Sequence, residues 1–446
     1  MNAINSKNDY KIIFLTIVFS LIPLSFIVGN LSLNINVVIF VISSIIFFRV
    51  EIFKIQINFI DKIIFFFFFY IFFVSLVNFS ENYNARSVEV NLYLFGKSFF
   101  YLRYLLLYIV IRFLIEKNFL NLKWFFISSS FFTIFVCLDL IYQYYSGQSI
   151  FGYDPVNIRT LSGPFGDEAI AGGYIQRFCI FFIFLLLGFF NNSFFKNKKI
   201  YSTIIITAFV GIIAVGIILS GNRMPFMLFV MLLFLYALFE KKIRYCLFFL
   251  VPVIIVVFSF LPDNSNVKKN VGNFKQQSKH MINFVISWEI NRDDVYTPFN
   301  IKVPLYFAEF ETFYDTWRMN KIIGGGVRSF RINCPKRDNV QLSERATCNT
   351  HPHNYYLEIL TDLGLIGLII ILILFSNILY RSFTKIKFIY GNFLPPFFFV
   401  FLTEIFPFKN TGSFFTTSNS IFLFLILSIL VGLTHQKNDQ NISIYK

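Results

Sequence analysis

The chain has 446 residues, 56% of them hydrophobic and 21% aromatic, with only 14% charged and a formal net charge of +15. Soluble domains carry about a quarter charged residues, so this composition excludes an ordinary soluble enzyme and predicts an integral membrane protein. The positive charge is spread over short loops between apolar runs, which excludes a nucleic-acid-binding surface and fits membrane anchoring.

A bilayer core needs about 20 apolar residues per helix. Runs of that kind lie at about 12–29, 32–48, 61–79, 97–116, 122–145, 173–190, 201–219, 223–239, 244–261, 354–380, 388–407 and 418–434. The first starts near Lys11 without a small-residue cleavage site and reads as a retained helix. The expected fold is an all-α integral membrane protein of about twelve transmembrane helices. Residues 1–261 would hold helices 1–9, residues 262–353 one large polar loop, and residues 354–446 helices 10–12 and a tail.

Cytoplasmic loops are enriched in Lys and Arg. One side of the bundle holds Lys7, Lys11, Arg49, Lys54, Lys62, Arg112, Lys117, Lys123, Lys196, Lys198, Lys199, Lys241, Lys242, Arg244, Arg381, Lys385, Lys387, Lys437 and Lys446. The short loops of the other side hold only Arg86, Lys97, Arg159, Arg223 and Lys409. Both termini are therefore expected in the cytoplasm and the 262–353 loop outside.

Ionisable side chains in a span are costly and often functional. In chain order, Arg103 lies one turn into the fourth run, Asp139 near the end of the fifth, and Arg177 near the start of the sixth. Arg223 opens the eighth within Ser220-Gly221-Asn222-Arg223, Glu358 opens the tenth, and Glu404 approaches the end of the eleventh. Each alone reads equally as a snorkelling side chain or as half of an ion pair such as Arg103 with Asp139. Together they fall toward the outer leaflet and outline a polar chamber opening outward.

The large loop adds charge to that side. Arg318, Lys321, Arg328, Arg331, Lys336, Arg337 and Arg345 stand against only Asp338 and Glu344. Guanidinium forks match phosphate oxygens, so an anionic ligand at the outer face is expected, and a lipid-linked diphosphate suits it. No Walker-type GxxxxGK[ST] is present, and Gly324-Gly325-Gly326 reads as a tight turn. Cys137, Cys179 and Cys246 fall inside spans, whereas Cys334 and Cys348 share the loop. In an oxidising compartment this spacing favours a disulfide, with free thiols or a metal site shared with His351 and His353 as alternatives.

The tenth run opens with His351-Pro352-His353-Asn354-Tyr355-Tyr356-Leu357-Glu358. A neutral imidazole at His353 suits a general base; the plainer reading is a helix-start residue that satisfies free backbone donors. The plainer reading is the stronger one for His351, which Pro352 turns away from the helix.

These residues, with Leu363-Gly364-Leu365-Ile366-Gly367 behind them, resemble the motif of the O-antigen ligase and O-antigen polymerase superfamily. Arg159-Thr160-Leu161-Ser162-Gly163-Pro164-Phe165-Gly166 resembles its arginine-containing outer loop, and Ser220-Gly221-Asn222-Arg223 its Ser-Gly-x-Arg turn. Ile323-Gly324-Gly325-Gly326-Val327-Arg328 through Cys334 resembles its Gly-rich turn, so the resemblance covers roughly 150–380. It implies a GT-C-like glycosyltransferase in a bacterial inner membrane, metal-independent and without a cofactor, acting at the periplasmic face. The implied donor is a glycan on undecaprenyl diphosphate, and the acceptor is lipid A core or a lipid-linked repeat. His353 and Arg223 are the implied catalytic residues, Arg223 sharing the diphosphate with Arg159. Arg177, Arg328, Arg331, Asn354 and Glu358 complete the expected substrate contacts. Family ligases often place an arginine in the helix before the Gly-rich turn, where this chain has Leu305-Tyr306-Phe307-Ala308-Glu309; Arg318 or Arg328 stands as its substitute. A ligase is placed ahead of a polymerase. A flippase or transporter would instead be expected to show internal repeats and midplane sites.

Overall fold

A computed structural model describes residues 6–80, 88–157, 160–190, 199–260, 305–337, 348–386, 392–410 and 412–436, with isolated residues between 268 and 279. Helices dominate in chain order: α1 Ser6–Ser20, α2 Ile22–Val28, α3 Asn30–Phe48, α4 Phe59–Ser80, α5 Val88–Tyr101, α6 Arg103–Glu116, α7 Leu122–Ser146 and α8 Ala171–Phe189. They continue as α9 Lys199–Leu219, α10 Arg223–Ala237, α11 Lys241–Phe260, α12 Leu305–Arg318, α13 Phe330–Asn333, α14 Tyr355–Lys385, α15 Leu394–Glu404 and α16 Thr417–His435. Among the described residues there is no strand, only one isolated bridge between Asn157 and Thr160.

Nine helical stretches among the described residues are long and apolar enough to cross a membrane, so the chain is a multi-pass membrane protein. They correspond to the first seven runs of the sequence, the tenth and the twelfth. The eighth run forms α10, of 15 residues, and the eleventh forms α15, of 11. At 1.5 Å per residue α15 spans about 17 Å, well short of a hydrocarbon core of about 30 Å. It begins at Pro395-Pro396, where proline is tolerated only in the first turn, and nearly all its residues are buried. Its phenylalanines pack inside protein and do not face lipid.

The first and fourth runs are broken helices. α1 passes into α2 at Leu21, with Pro23 at the start of α2, and α2 turns into α3 at Gly29, whose φ is +116°. Asn36 Nδ2 donates to Ser25 Oγ at 2.8 Å and holds this corner closed. The fourth run divides at Leu102 into α5 and α6.

Lipid and core sides separate by helical periodicity. On α3, Leu31, Ile35, Val38, Ile42 and Ile46 are exposed, whereas Leu33, Asn36, Val37, Phe40 and Ser44 are buried, the 3–4 residue spacing of one apolar stripe opposite another. α16 is the most enclosed stretch, 83% buried against 28% for the stretch holding α3; it packs on α6, α14 and α15. α6, α14 and α16 run in the same direction. Their far ends meet where Arg381 Nη1 lies 3.1 Å from His435 Nε2 and Gln436 Nε2 donates to Ile115 O at 2.6 Å. Their starts meet at the opposite end, around residues 404–419.

Candidate active site

The site is built on an interruption in α14. Gly364 has φ +67° and ψ −170°, which breaks the helical ladder two residues past Asp362. The Gly-rich turn fills the gap: Gly325 N donates to Thr361 O at 3.1 Å and Gly326 N to Asp362 O at 2.8 Å, while Leu365 N reaches back to Lys321 O at 3.0 Å. A Cβ on Gly364 would lie 2.1 Å from Ile322 O, and one on Gly324 2.5 Å from Asp362 O. Backbone meets backbone here, so the two glycine motifs are two halves of one joint. Asp362, fully buried, closes it by accepting from Arg328 N at 2.6 Å, Ser329 Oγ at 3.0 Å and Phe330 N at 3.2 Å.

One to two turns earlier, the His-Asn block fastens the 404–419 segment. Asn354 caps α14, its side chain accepting from Tyr356 N at 2.9 Å and Leu357 N at 3.2 Å, as a capping asparagine does. Its amide also donates to Pro407 O at 2.7 Å, and the Tyr356 hydroxyl donates to Ile405 O. Glu358 is 2% exposed and accepts from Ser413 Oγ at 2.6 Å and Phe414 N at 2.5 Å. Asn354 and Glu358, expected to touch substrate, therefore spend their polar atoms on positioning this segment.

Between that segment, the α2–α3 corner, the 165–170 loop and the starts of α8 and α10 lies a cavity of about 310 Å³. Arg177, Lys409, His351, Asn222, Gln176 and Asn419 are on its wall, with exposed Glu168 at the rim. Arg177 grips Glu404 with both Nε, at 3.0 Å, and Nη2, at 2.7 Å, and also donates to Asn419 Oδ1 at 2.7 Å. Lys409 Nζ lies 2.8 Å from Glu404 Oε2, the oxygen that also accepts from Arg177 Nε, and the Tyr355 hydroxyl donates to Oε1 at 2.6 Å. Arg177, partly buried, and the buried Lys409 thus share one buried carboxylate, leaving a positive charge in excess among these three groups. Burial, reinforced by Arg177 and opposed by Glu404, lowers Lys409 to about 8.

His351 meets the cavity and its Nε2 is buried without a partner among the described residues. Burial and the nearby His353, Arg331 and Arg328 lower its pKa to about 4, so the ring is neutral at physiological pH. Its Nδ1 is 2.9 Å from Thr350 Oγ1. With the proton on Nδ1 donated to that hydroxyl, Nε2 presents a lone pair. His353, at φ +53°, has its ring centroid 4.5 Å away, and both histidines line a small hollow with Glu309 and Asn349.

The remaining expected residues divide. Arg223 opens α10 directly after Asn222, whose Nδ2 donates to Ala169 O at 2.9 Å, which ties the Ser-Gly-x-Arg turn to the 165–170 loop. Arg159 lies outside the described residues. Arg328, at φ +64°, donates from Nη2 to Phe415 O at 3.0 Å, and Arg331 Nε is buried without a partner among the described residues. Cys334 and Cys348 form a disulfide, with Arg337 Nη1 against both sulfurs at 2.8 and 3.0 Å; the bridge ties α13 to the strand of chain leading into His351. Arg103 and Asp139 are not paired: Arg103 donates to Tyr104 Oη at 2.6 Å, while Asp139 accepts from Ile150 N at 2.7 Å. Sequence reading missed Asp362, Lys409 and Asn419 as site residues. Asp362 carried a signal, since it lies four residues after Glu358 on the same helix face; Lys409 and Asn419 are joined to the site only through the fold.

Residues 207–372 match the family model described as O-antigen ligase. That range contains the Ser-Gly-x-Arg turn, the Gly-rich joint, the His-Asn block and the kink of α14. No curated protein matches the chain.

Proposed function

Because the chain carries an O-antigen ligase domain, and so is an O-antigen ligase-like membrane protein, we propose that it transfers a glycan from undecaprenyl diphosphate to lipid A core at the periplasmic face of the bacterial inner membrane. The observation that carries this reading is the cavity in which Arg177 and Lys409, gathered around Glu404, share one wall with the neutral ring of His351. A cationic wall binds a diphosphate, and a neutral imidazole takes a proton.

In the proposed reaction the acceptor hydroxyl attacks the anomeric carbon of the lipid-linked glycan. The bond from that carbon to the diphosphate oxygen breaks, and undecaprenyl diphosphate leaves with the electron pair. Lys409, Arg177 and Arg223 stabilise the charge that develops on the leaving diphosphate, an interaction class that contributes several kcal/mol to such barriers. The hydroxyl proton passes to the imidazole pair. Sequence pattern favours His353 as the base, whereas cavity access favours His351; in this reading His351 takes the proton and His353 positions it. Arg159 and Arg331 remain proposed contacts to the donor.

The test is the surface-glycan profile of a deletion strain. Loss of all glycan from lipid A core, with lipid-linked polymer accumulating, is the expected result. Core capped with a single repeat would identify a polymerase instead, and an unchanged profile would overturn both.

A further inference from the structure

A second cavity, of about 260 Å³, lies on the other side of the 412–419 segment. The segment separates the two by alternation: Thr416 and Ser418 face the first cavity, Phe415 and Thr417 the second. Lys97, Arg103 and Arg328 line the second, together with Asn34, Tyr101 and Thr417. No carboxylate lines it, and among the described residues none of the three cations is ion-paired. The two guanidinium groups are held in place. Arg103 donates to Tyr104 Oη at 2.6 Å and to Thr417 Oγ1 at 3.4 Å, and stacks 4.8 Å over the Tyr104 ring. Arg328 is fixed by its backbone bond to Asp362 and its side-chain bond to Phe415 O.

Three cations line the cavity with no carboxylate on its wall, the buried Glu358 and Asp362 standing behind Arg328 alone; such a group is costly to hold together unless an anion completes it. Two positioned forks and an ammonium match the oxygens of a phosphate. The volume is below the roughly 300–1,000 Å³ of pockets for drug-sized ligands, so it suits a headgroup and not a whole amphiphile. Phe99 and Phe100, 53% and 65% exposed, continue from its edge along α5, an apolar surface on which a chain attached to that headgroup would lie.

We propose that this cavity is a second phosphate-binding subsite, taking the phosphate of a membrane-borne ligand while the first cavity holds the donor diphosphate. The assignment of the first cavity rests on the proposed function; the binding of phosphate in the second does not. The arrangement puts two lipid-borne anions on either side of one short segment, as a transfer between two lipids requires.

The experiment uses the full-length protein in detergent, with native mass spectrometry of bound phosphatidic acid and with phosphatidylcholine as the uncharged-headgroup control. Lys97→Gln/Arg103→Gln is expected to weaken phosphatidic acid binding by about tenfold or more, the effect of removing two charge-assisted contacts. Lys97→Glu, at a partly exposed position, should do the same if the double variant fails to fold, and Lys97→Arg should retain binding. Displacement of the lipid by millimolar inorganic phosphate would identify a site satisfied by the free anion; retention would identify one that needs the lipid. Phosphatidic acid binding unchanged in both Lys97→Gln/Arg103→Gln and Lys97→Glu overturns the proposal. Glycan transfer measured on the same preparations separates the two readings: binding lost in the variants of a protein that never transfers glycan would leave the subsite standing and remove the proposed function.

Discussion

His351 and His353 stand two residues apart in one motif, yet their surroundings give them different access to a substrate. His351 lines both the larger cavity and the small hollow, its Nε2 buried and without a partner among the described residues, whereas His353 lines the hollow and not that cavity. The motif itself was legible in the sequence; which imidazole faces the chamber was not, because that depends on how Asn354 caps the helix and how the disulfide at Cys348 draws the preceding chain. His351→Ala is therefore expected to lower transfer by 10²-fold or more, within the usual range of about 10²–10⁴ for losing a general base, while His353→Ala lowers it less. Equal loss in both would return the base to His353. The two titrating groups also set a pH window. His351 becomes cationic only toward about 4, so its lone pair is available above that; Lys409 loses its charge through about 8, so anion binding weakens above it. Activity should fall on the alkaline side near 8, and Lys409→Arg, which stays charged, should move that limb upward. A limb unmoved by this variant would remove Lys409 from the anion site. Glu404 is the third member of the cluster, buried between two cations. Glu404→Gln leaves those charges without their counterion and should cost about 3–5 kcal/mol of stability, the effect of breaking a buried pair, measurable by denaturation in detergent.

At the scale of elements, the decisive joint is the pairing of the 322–326 turn with the break in α14. Both glycine clusters were visible in the sequence, one as a tight turn and one as part of an apolar run. Their contact was not, because hydrophobic periodicity is blind to a single residue of positive φ inside a long helix, and Leu363-Gly364-Leu365 reads as uninterrupted apolar span. Gly364→Ala meets two obstacles, a φ of +67° and a carbonyl oxygen 2.1 Å from the new Cβ. Because the neighbour is backbone, the turn must withdraw. Arg328 would move with it, since its amide is held by Asp362 in the same joint. Gly364→Ala is thus expected to remove activity with the helical content retained, whereas Gly326→Ala, whose Cβ meets nothing within 4 Å, should show only the smaller strain of its positive φ. Circular dichroism beside a transfer assay separates the outcomes; full activity in Gly364→Ala would show that the joint does not position the site. The short α15 was not legible in the sequence for a related reason. A run of phenylalanines has the same composition whether it faces lipid or protein, and only its packing against α8, α10 and α16 shows which.

Across the whole molecule, charge sorts to two ends. At one, Arg112 pairs with Asp61 at 2.9 Å and Glu116 at 2.8 Å, and Arg381 meets His435, with Lys385 donating to Thr434 O beside them. At the other lie Arg177, Lys409, Arg328 and Arg103 around the two cavities. The ends are joined by α14, whose longer piece, past the break at Gly364, spans about 30 Å at 1.5 Å per residue, enough to cross a hydrocarbon core of about 30 Å. The alternation of basic loops in the sequence leads to the expectation that the first end, where Asn118 and Gln436 meet, is cytoplasmic. On that expectation the 160–170 loop, at the opposite end, would lie on the outer side. A phosphatase reporter that works only outside the cytoplasm should be active when fused after Gly147 or Asn300 and silent after Asn118 or Gln436. Activity at Asn118 with silence at Asn300 would invert the molecule, placing both cavities in the cytoplasm, where a periplasmic lipid-linked donor does not reach them.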